Sequence, residues 1–271
     1  MRLNKTFLAA IGLLFASLLS TTAAACPRIV SQSPYITHQL AWLGLQDCIV
    51  GASRYESTIK VPDTGGVLDP DSPAIAALKP DFVITSNWTP PEKLAAITPP
   101  GTRGIGLASF QSMDQITQNL RELGKLAGLP DADTRATTFD RLWRKKAAAI
   151  HGDGRRVLLL SSCAGTAYSF GQNTWLAQLF SEAGFVVADP SSGVRHLPPA
   201  ATAEATTQLI KELRPEIIFV FTRQIASTCG MVPLPPGTLL VALDGDKFLH
   251  PAPVLLEGLD ALQAARSQWA H

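Results

Sequence analysis

The chain has 271 residues, 46% of them hydrophobic and 17% charged, enough apolar material for one large or two ordinary folded domains. Its formal net charge of +1 carries no basic footprint, which excludes a nucleic-acid partner. Its four cysteines stand in no CxxC or Cys/His zinc spacing, which excludes a structural zinc module.

Residues 1–25 read as a signal peptide. Arg2 and Lys5 form a positive start, Phe7 to Leu19 an apolar stretch too short for a comfortable membrane span, and Ala23-Ala24-Ala25 a small-residue cleavage site. Cleavage after Ala25 predicts a soluble protein exported to the periplasm, and leaves 246 residues with a net charge of −1. The alternative is a lipoprotein anchored at Cys26, although Ala23 stands where such sites usually carry Leu. In an oxidising compartment the even cysteine count favours two disulfides. Cys26–Cys48 and Cys163–Cys229 is the preferred pairing because each stays within one half of the chain. Four reduced, buried thiols are the other reading.

From Arg28 the order is strand (RIVS), helix (Pro34 to Leu43), strand (CIVGAS), helix (Pro73 to Leu78) and strand (DFVITS). A helix over Pro91 to Ile97, the strand GIGLA and an amphipathic helix over Met113 to Gly128 follow. Such alternation predicts a parallel sheet covered on both faces. Asp131 to Ile150 then reads as one long helix. Apolar Ala136, Phe139, Leu142, Trp143 and Ile150 recur near the 3.6 period, and Arg144, Lys145 and Lys146 lie toward its C-terminal end, where the dipole favours them. Beyond it the pattern restarts: RVLLLSS, a helix over Trp175 to Ala183, FVVA, a helix over Thr202 to Leu213, EIIFVF, TLLVAL and a closing helix over Pro253 to Trp269.

The two halves resemble each other. LKPDFVITS (Leu78 to Ser86) aligns with LRPEIIFVF (Leu213 to Phe221), and LGLQDCIVG (Leu43 to Gly51) more weakly with AGFVVAD (Ala183 to Asp189). An internal duplication around a linker is expected. The predicted fold is α/β: an N-terminal lobe over 26–130, a rigid linking helix over 131–151 and a C-terminal lobe over 152–271, with a ligand cleft between two parallel-sheet lobes.

Ligands bind outside the carboxyl ends of parallel strands, which nominates the loops there. In the first half these carry Ser33, Arg54, Tyr55, Trp88 and Phe110, and in the second Tyr168, Phe170, Trp175, Arg195, His196 and Arg223. Aromatics and arginines on both banks suit a bulky, flat, partly anionic ligand. Trp175, two residues into a helix, equally suits core packing, whereas Tyr55 and Trp88 sit on loops expected to face the cleft.

Several segments together resemble the periplasmic substrate-binding proteins of ABC importers for cobalamin, ferric siderophores and haem. They are RIVSQSPYITHQLAWLGLQDCIVGASRY, DPDSPAIAALKPDFVITS, GQNTWLAQLFSEAGFVVA, LIKELRPEIIFVF and DGDKFLHPAPVLLEGLDAL, in the family's order and spacing across nearly all of the mature chain. The resemblance implies two lobes on one rigid helix that opens and closes only slightly. It also implies a monomer without catalytic activity or resident cofactor, delivering a corrinoid or ferric-siderophore chelate, or alternatively haem, to an inner-membrane ABC permease. In the cobalamin branch a Tyr after the second strand and a Trp after the third contact the ligand, and Tyr55 and Trp88 match them. Two departures stand out. The docking glutamates are replaced by Pro73 and Gln208, leaving Asp71 and Glu204 nearby as substitutes, and the Pro-Gly-Pro-Arg stretch reads Pro251-Ala252-Pro253-Val254. A sensor without an ABC partner is therefore a further alternative.

Two other chemistries have partial signals. Ala167 to Gly171 fits A-x-S-x-G, with Asp244 and His250 following in hydrolase order. Seven residues separate Ser162 from Ser169, however, so the strand-to-turn elbow is missing and Ser169 is expected to hydrogen-bond backbone or ligand. His38, His196 and His250 offer imidazoles for direct metal binding, with Asp189 or Asp244 as carboxylate. None has a partner at i,i+4, so no metal site is expected, and His38 is expected to be a packed or surface helix residue.

Overall fold

The computed structural model describes residues 26–108, 110–162, 166–222 and 233–269. The leader, the expected Cys163–Cys229 bridge and Arg223 lie outside the described residues. No helix among the described residues is long and apolar enough to cross a membrane. The expected Cys26–Cys48 disulfide is present, with Cα atoms 5.6 Å apart.

Four parallel strands, β1 (Ile29–Ser31), β2 (Ile49–Ala52), β3 (Phe82–Ser86) and β4 (Arg103–Leu107), form the first sheet in the order β2-β1-β3-β4. β1, the inner strand between β2 and β3, is buried on both faces. The crossovers are α1 (Pro34–Trp42), α2 (Ser72–Ala77) and α3 (Pro91–Ile97), each with proline in its first turn, where a missing N–H costs nothing.

The second sheet repeats this order. β5 (Arg156–Leu160), β7 (Val186–Val187), β9 (Ile217–Phe221) and β10 (Leu239–Leu243) run parallel as β7-β5-β9-β10, the pattern of the first sheet element for element. The duplication reaches single hydrogen bonds. Asp81 accepts from the Arg28 N–H at 2.7 Å, and Glu216 from the Arg156 N–H at 2.9 Å. The Arg28 guanidinium donates to the Leu78 carbonyl at 2.7 Å, and that of Arg156 to Leu213 at 2.9 Å. Lys79 and Arg214, ahead of the shared prolines, both turn left-handed with φ 46° and 45°. α1 and α6 (Trp175–Glu182) also end alike. Gly44 and Gly184 take positive φ, and the next N–H returns five residues, Leu45 to Leu40 and Phe185 to Phe180.

The second sheet then adds what the first lacks. β6 (Tyr168–Phe170) pairs antiparallel with β5 at Leu160, and β8 (Val194–His196) pairs antiparallel with β6. The alternation reading anticipated neither strand. The expected closing helix is shorter than Pro253 to Trp269: α9 covers Leu255–Ala264 and a 3-10 turn follows over Ala265–Gln268. A further short helix, α8 (Gly245–Phe248), precedes it.

Between the sheets run α4 (Met113–Leu126) and α5 (Ala132–Ala148). The 17 residues of α5 make a rod of roughly 25 Å. Its buried stripe is Ala132, Ala136, Phe139, Trp143 and Ala147. α5 lies against α4 at Gly124, where an added Cβ would come within 2.3 Å of the Ala132 Cβ. Toward its other end Arg144 reaches Asp114 of α4 at 2.6 Å and Glu182 of α6 at 3.9 Å, while Lys146 pairs with Asp260 of α9. One hydrophobic cluster runs from Ile29 of the first sheet through Phe139 and Trp143 to Phe219 of the second. The remaining helix, α7 (Thr202–Leu213), covers the far face of the second sheet, its Leu209 and Ile210 packed with Leu158 and Ile218.

Candidate functional site

Period two decides which side chains of β6 and β8 face the cleft. The strands pair Tyr168 with His196, Ser169 with Arg195 and Phe170 with Val194. Tyr168, Phe170, Val194 and His196 therefore share one face, and Ser169 and Arg195 the other. The first face forms one wall of a slot of about 170 Å³, completed by Trp88, Phe110, Ser161, Trp175 and Leu249. Trp88 follows β3, Phe110 follows β4 and Ser161 follows β5, so the slot lies at the carboxyl ends of the strands of both sheets, as the rule for parallel sheets requires.

The slot is an aromatic ladder. Trp88, 60% exposed, stacks on Phe110 with centroids 4.4 Å apart, and Phe110 meets Trp175 edge-on at 5.3 Å. Phe170 meets Trp175 at 5.3 Å, and Tyr168 meets His196 at 4.8 Å. Trp175 is both core and floor: it is buried, and its indole N–H donates to the Phe248 carbonyl at 3.0 Å. Phe110 has φ 72°, a left-handed backbone that a bulky residue rarely adopts and that clusters at functional sites.

Next to the slot, across the Leu249–His250 step, opens a polar pocket of about 280 Å³. Tyr55, Glu56 and His38 line it from the first half, and Asp244, Asp246, Lys247, His250 and Glu257 from the second. The two imidazoles lie 5.6 Å apart. Burial lowers the pKa of each below 6.5, and the neighbouring imidazole lowers that of His250 further, against the partial opposition of Glu56 and Asp246. A larger recess of about 440 Å³, between Arg214, Pro215 and Pro235, lies at the amino ends of β9 and β10, away from both pockets and from the end where parallel sheets bind ligands.

Six of the nominated residues meet in the slot: Trp88, Phe110, Tyr168, Phe170, Trp175 and His196. Tyr55 lines the polar pocket instead. Both described arginines are engaged elsewhere, Arg54 with Asp69 at 2.9 Å and Arg195 with Asp189 at 2.9 Å. Ser33 is buried at the start of α1, its carbonyl accepting from Ser31. Val194, Leu249 and Ser161 were missed in the slot, and Glu56 and Glu257 in the polar pocket. Alternation about Arg195 would have found Val194. The hydrolase arrangement does not form, since Ser169 is buried inside β6 and donates to Asp189 at 2.5 Å, while His250 stands against His38. Of the three histidines considered for a metal, His196 stands apart beside Tyr168. Among the described residues no three His, Cys, Asp or Glu side chains are placed to share an ion.

Two sheets, each with a parallel core, thus bring their strand-end loops to one cleft. The chain belongs to the periplasmic binding protein family, whose model matches residues 29–243. A periplasmic haem-binding protein from Roseiflexus sp. RS-1, in apo form, superposes with a TM-score of 0.74 at 22% identity, covering 90% of this chain and 99% of that one. The periplasmic vitamin B12-binding protein of Vibrio cholerae gives 0.68 at 19%, covering 89% and 97%. A periplasmic haem-binding protein from Pseudomonas aeruginosa gives 0.72 at 22%, covering 89% and 92%. At these identities the likeness concerns the fold, which matches the two-lobe architecture of such proteins. No curated protein is matched by the sequence.

Proposed function

We propose that this protein is an exported, monomeric receptor that captures a large flat metal chelate between its two sheets and delivers it to an inner-membrane ABC importer. The observation that carries the reading is the slot itself: Trp88 and Phe110 from one half face Tyr168, Phe170 and Trp175 from the other, so a planar ligand would be held from both sides. At about 170 Å³ the slot is smaller than any such chelate. Binding would lift the exposed Trp88 ring from Phe110 or part the halves slightly.

Charge in the adjoining pocket favours a corrinoid. Among the described residues lining it, Glu56, Asp244, Asp246 and Glu257 outnumber Lys247, burial disfavours charge on the two imidazoles, and Arg54 and Arg195 pair with Asp69 and Asp189. Such a rim disfavours the propionates of haem and the anionic groups of catecholate siderophores, and suits the amide-bearing edge of a corrin. Haem is the second reading, favoured by Tyr168 and His196 side by side at the slot, both side-chain types that ligate haem iron. Absorption titrations with cyanocobalamin and haemin decide between them, because the two chromophores have separate bands. The corrinoid reading expects tight cyanocobalamin binding, weakened by roughly 2 kcal/mol in Trp88→Ala. Haemin binding alone would install the second reading, and binding of neither would remove the tetrapyrrole class.

Delivery would use Asp71 and Glu204. Both are exposed at the starts of α2 and α7, which occupy equivalent places in the repeat, Asp71 as the cap accepting from the Ala74 N–H at 3.0 Å. Pro73 and Gln208, at the positions where the resembled family carries its docking glutamates, are exposed and uncharged. Asp71→Lys with Glu204→Lys is expected to abolish cargo uptake in cells while leaving cargo affinity intact. Unchanged uptake would remove Asp71 and Glu204 as the docking residues, and a wild type that supports no uptake would favour a sensor without an importer.

A further inference from the structure

We propose that Asp189 is a positioning residue for this cargo site, clamping the back of the β6–β8 arm so that Tyr168 and His196 on its front stand at a fixed spacing. The inference rests on the slot reading given above.

The arm is the part of the second sheet that has no counterpart in the first. It carries four slot residues, yet its pairing with the rest of the sheet is short. Among the described residues β6 meets β5 at the pair Leu160–Ser169, supplemented by the Ser161 N–H donating to the Tyr168 carbonyl at 2.9 Å and the Tyr168 N–H to the Ser161 hydroxyl at 2.8 Å. So thin a ladder leaves an arm free to rock unless something else holds it.

Asp189 supplies that hold. It follows β7, is 0% exposed, and accepts three hydrogen bonds from three segments. The Ser169 hydroxyl of β6 donates at 2.5 Å, the Arg195 guanidinium of β8 at 2.9 Å and the Ser191 N–H of the intervening turn at 3.0 Å. Ser169 and Arg195 are cross-strand partners on the back face, so one carboxylate ties both strands at the same rung. A buried carboxylate is costly unless fully satisfied, and an apolar residue would pack the space without that cost, so its presence here calls for a geometric reason. The turn presses on the arm as well. The Gly171 N–H donates to the Gly193 carbonyl at 3.0 Å and the Gln172 N–H to the Ser191 carbonyl at 2.8 Å, while a Cβ on Gly171 would meet the Ser191 oxygen at 2.1 Å. Arg195, expected from sequence to recognise an anion, is thereby assigned to holding the wall.

The test uses the full mature chain and the variants Asp189→Asn and Ser169→Ala, the second removing one donor only and serving if the first does not fold. Without cargo, hydrogen exchange of peptides covering 166–172 and 193–197 is expected to accelerate by about tenfold or more, while β9 and α9 keep their protection. Unchanged exchange in the arm overturns the clamp. With cyanocobalamin or haemin, whichever the wild type binds, affinity is expected to fall about tenfold. In a Tyr168→Ala/His196→Ala background Asp189→Asn is expected to cost clearly less further affinity, the remainder passing through Phe170 and Val194 on the same face. An equal loss in both backgrounds overturns the positioning role, since a residue that merely stabilises the fold would behave that way. If the Tyr168→Ala/His196→Ala variant binds as tightly as wild type, the slot reading falls instead, and the cargo-free exchange still decides whether Asp189 fixes the arm.

Discussion

His38 and His250 show how a residue can be plain in the sequence while its chemistry is not. Each is an isolated histidine in the chain, and folding brings them together, half-buried, from opposite halves. Because burial lowers both pKa values, the unfolded chain takes up protons more readily than the folded one. Their contribution to stability is therefore full above about pH 6.5 and declines as pH falls below it through the lowered folded values. The melting temperature is expected to drop between pH 7 and 5, and His38→Gln with His250→Gln to flatten that drop; an unaltered profile would mean that other groups govern it. Phe110 makes a second case. Its left-handed backbone costs about 1–2 kcal/mol in an L-residue. Phe110→Gly is thus expected to unfold at higher denaturant than Phe110→Ala, although both lose the ring and with it cargo affinity. Nothing in the one-letter code separates this Phe from the ten others.

At the scale of elements, the sequence was most readable where apolar runs were long. The strands around DFVITS and EIIFVF, and the α5 helix with its 3.6-residue stripe, appear within a residue or two of where they were expected. The LKPD and LRPE leads also announced the duplication, which the matching bonds of Arg28 and Arg156 now explain: an arginine seals the end of the preceding helix, and an acidic residue caps the strand start. β6 and β8 escaped notice because three residues are too few for a period to register. Packing between elements was equally hidden. Gly124 reads as a helix-weakening residue, yet it is the contact that lets α4 and α5 approach. Gly124→Ala is expected to destabilise by about 1–3 kcal/mol in urea unfolding, where helix propensity alone would make it stabilising. The Cys26–Cys48 bridge, closing a separation of 22 residues, is expected to add about 3 kcal/mol over the Cys26→Ser/Cys48→Ser variant.

On the scale of the whole molecule, the halves are held by more than one connection. Besides α5, the Gln178 side-chain Oε1 of α6 accepts from the first N–H of α4 at 2.7 Å, and the Gln39 side chain of α1 donates to the Pro251 carbonyl at 2.8 Å. With a shared core and several such ties, cargo binding is expected to shift the backbone by less than about 1 Å, which X-ray scattering with and without cargo would check. A larger change in either direction would mean that the halves hinge freely. The α/β class, the repeat, the connecting helix and the aromatic character of the strand-end loops were all determined by the sequence alone, because each depends on local periodicity or on residue type at a strand exit. Which of those aromatics converge, why Arg54 and Arg195 turn away to carboxylates, and how two distant histidines come to share one pocket were decided only by the tertiary structure. Those outcomes depend on pairings between residues far apart in the chain, set by register and burial, and no local pattern encodes them.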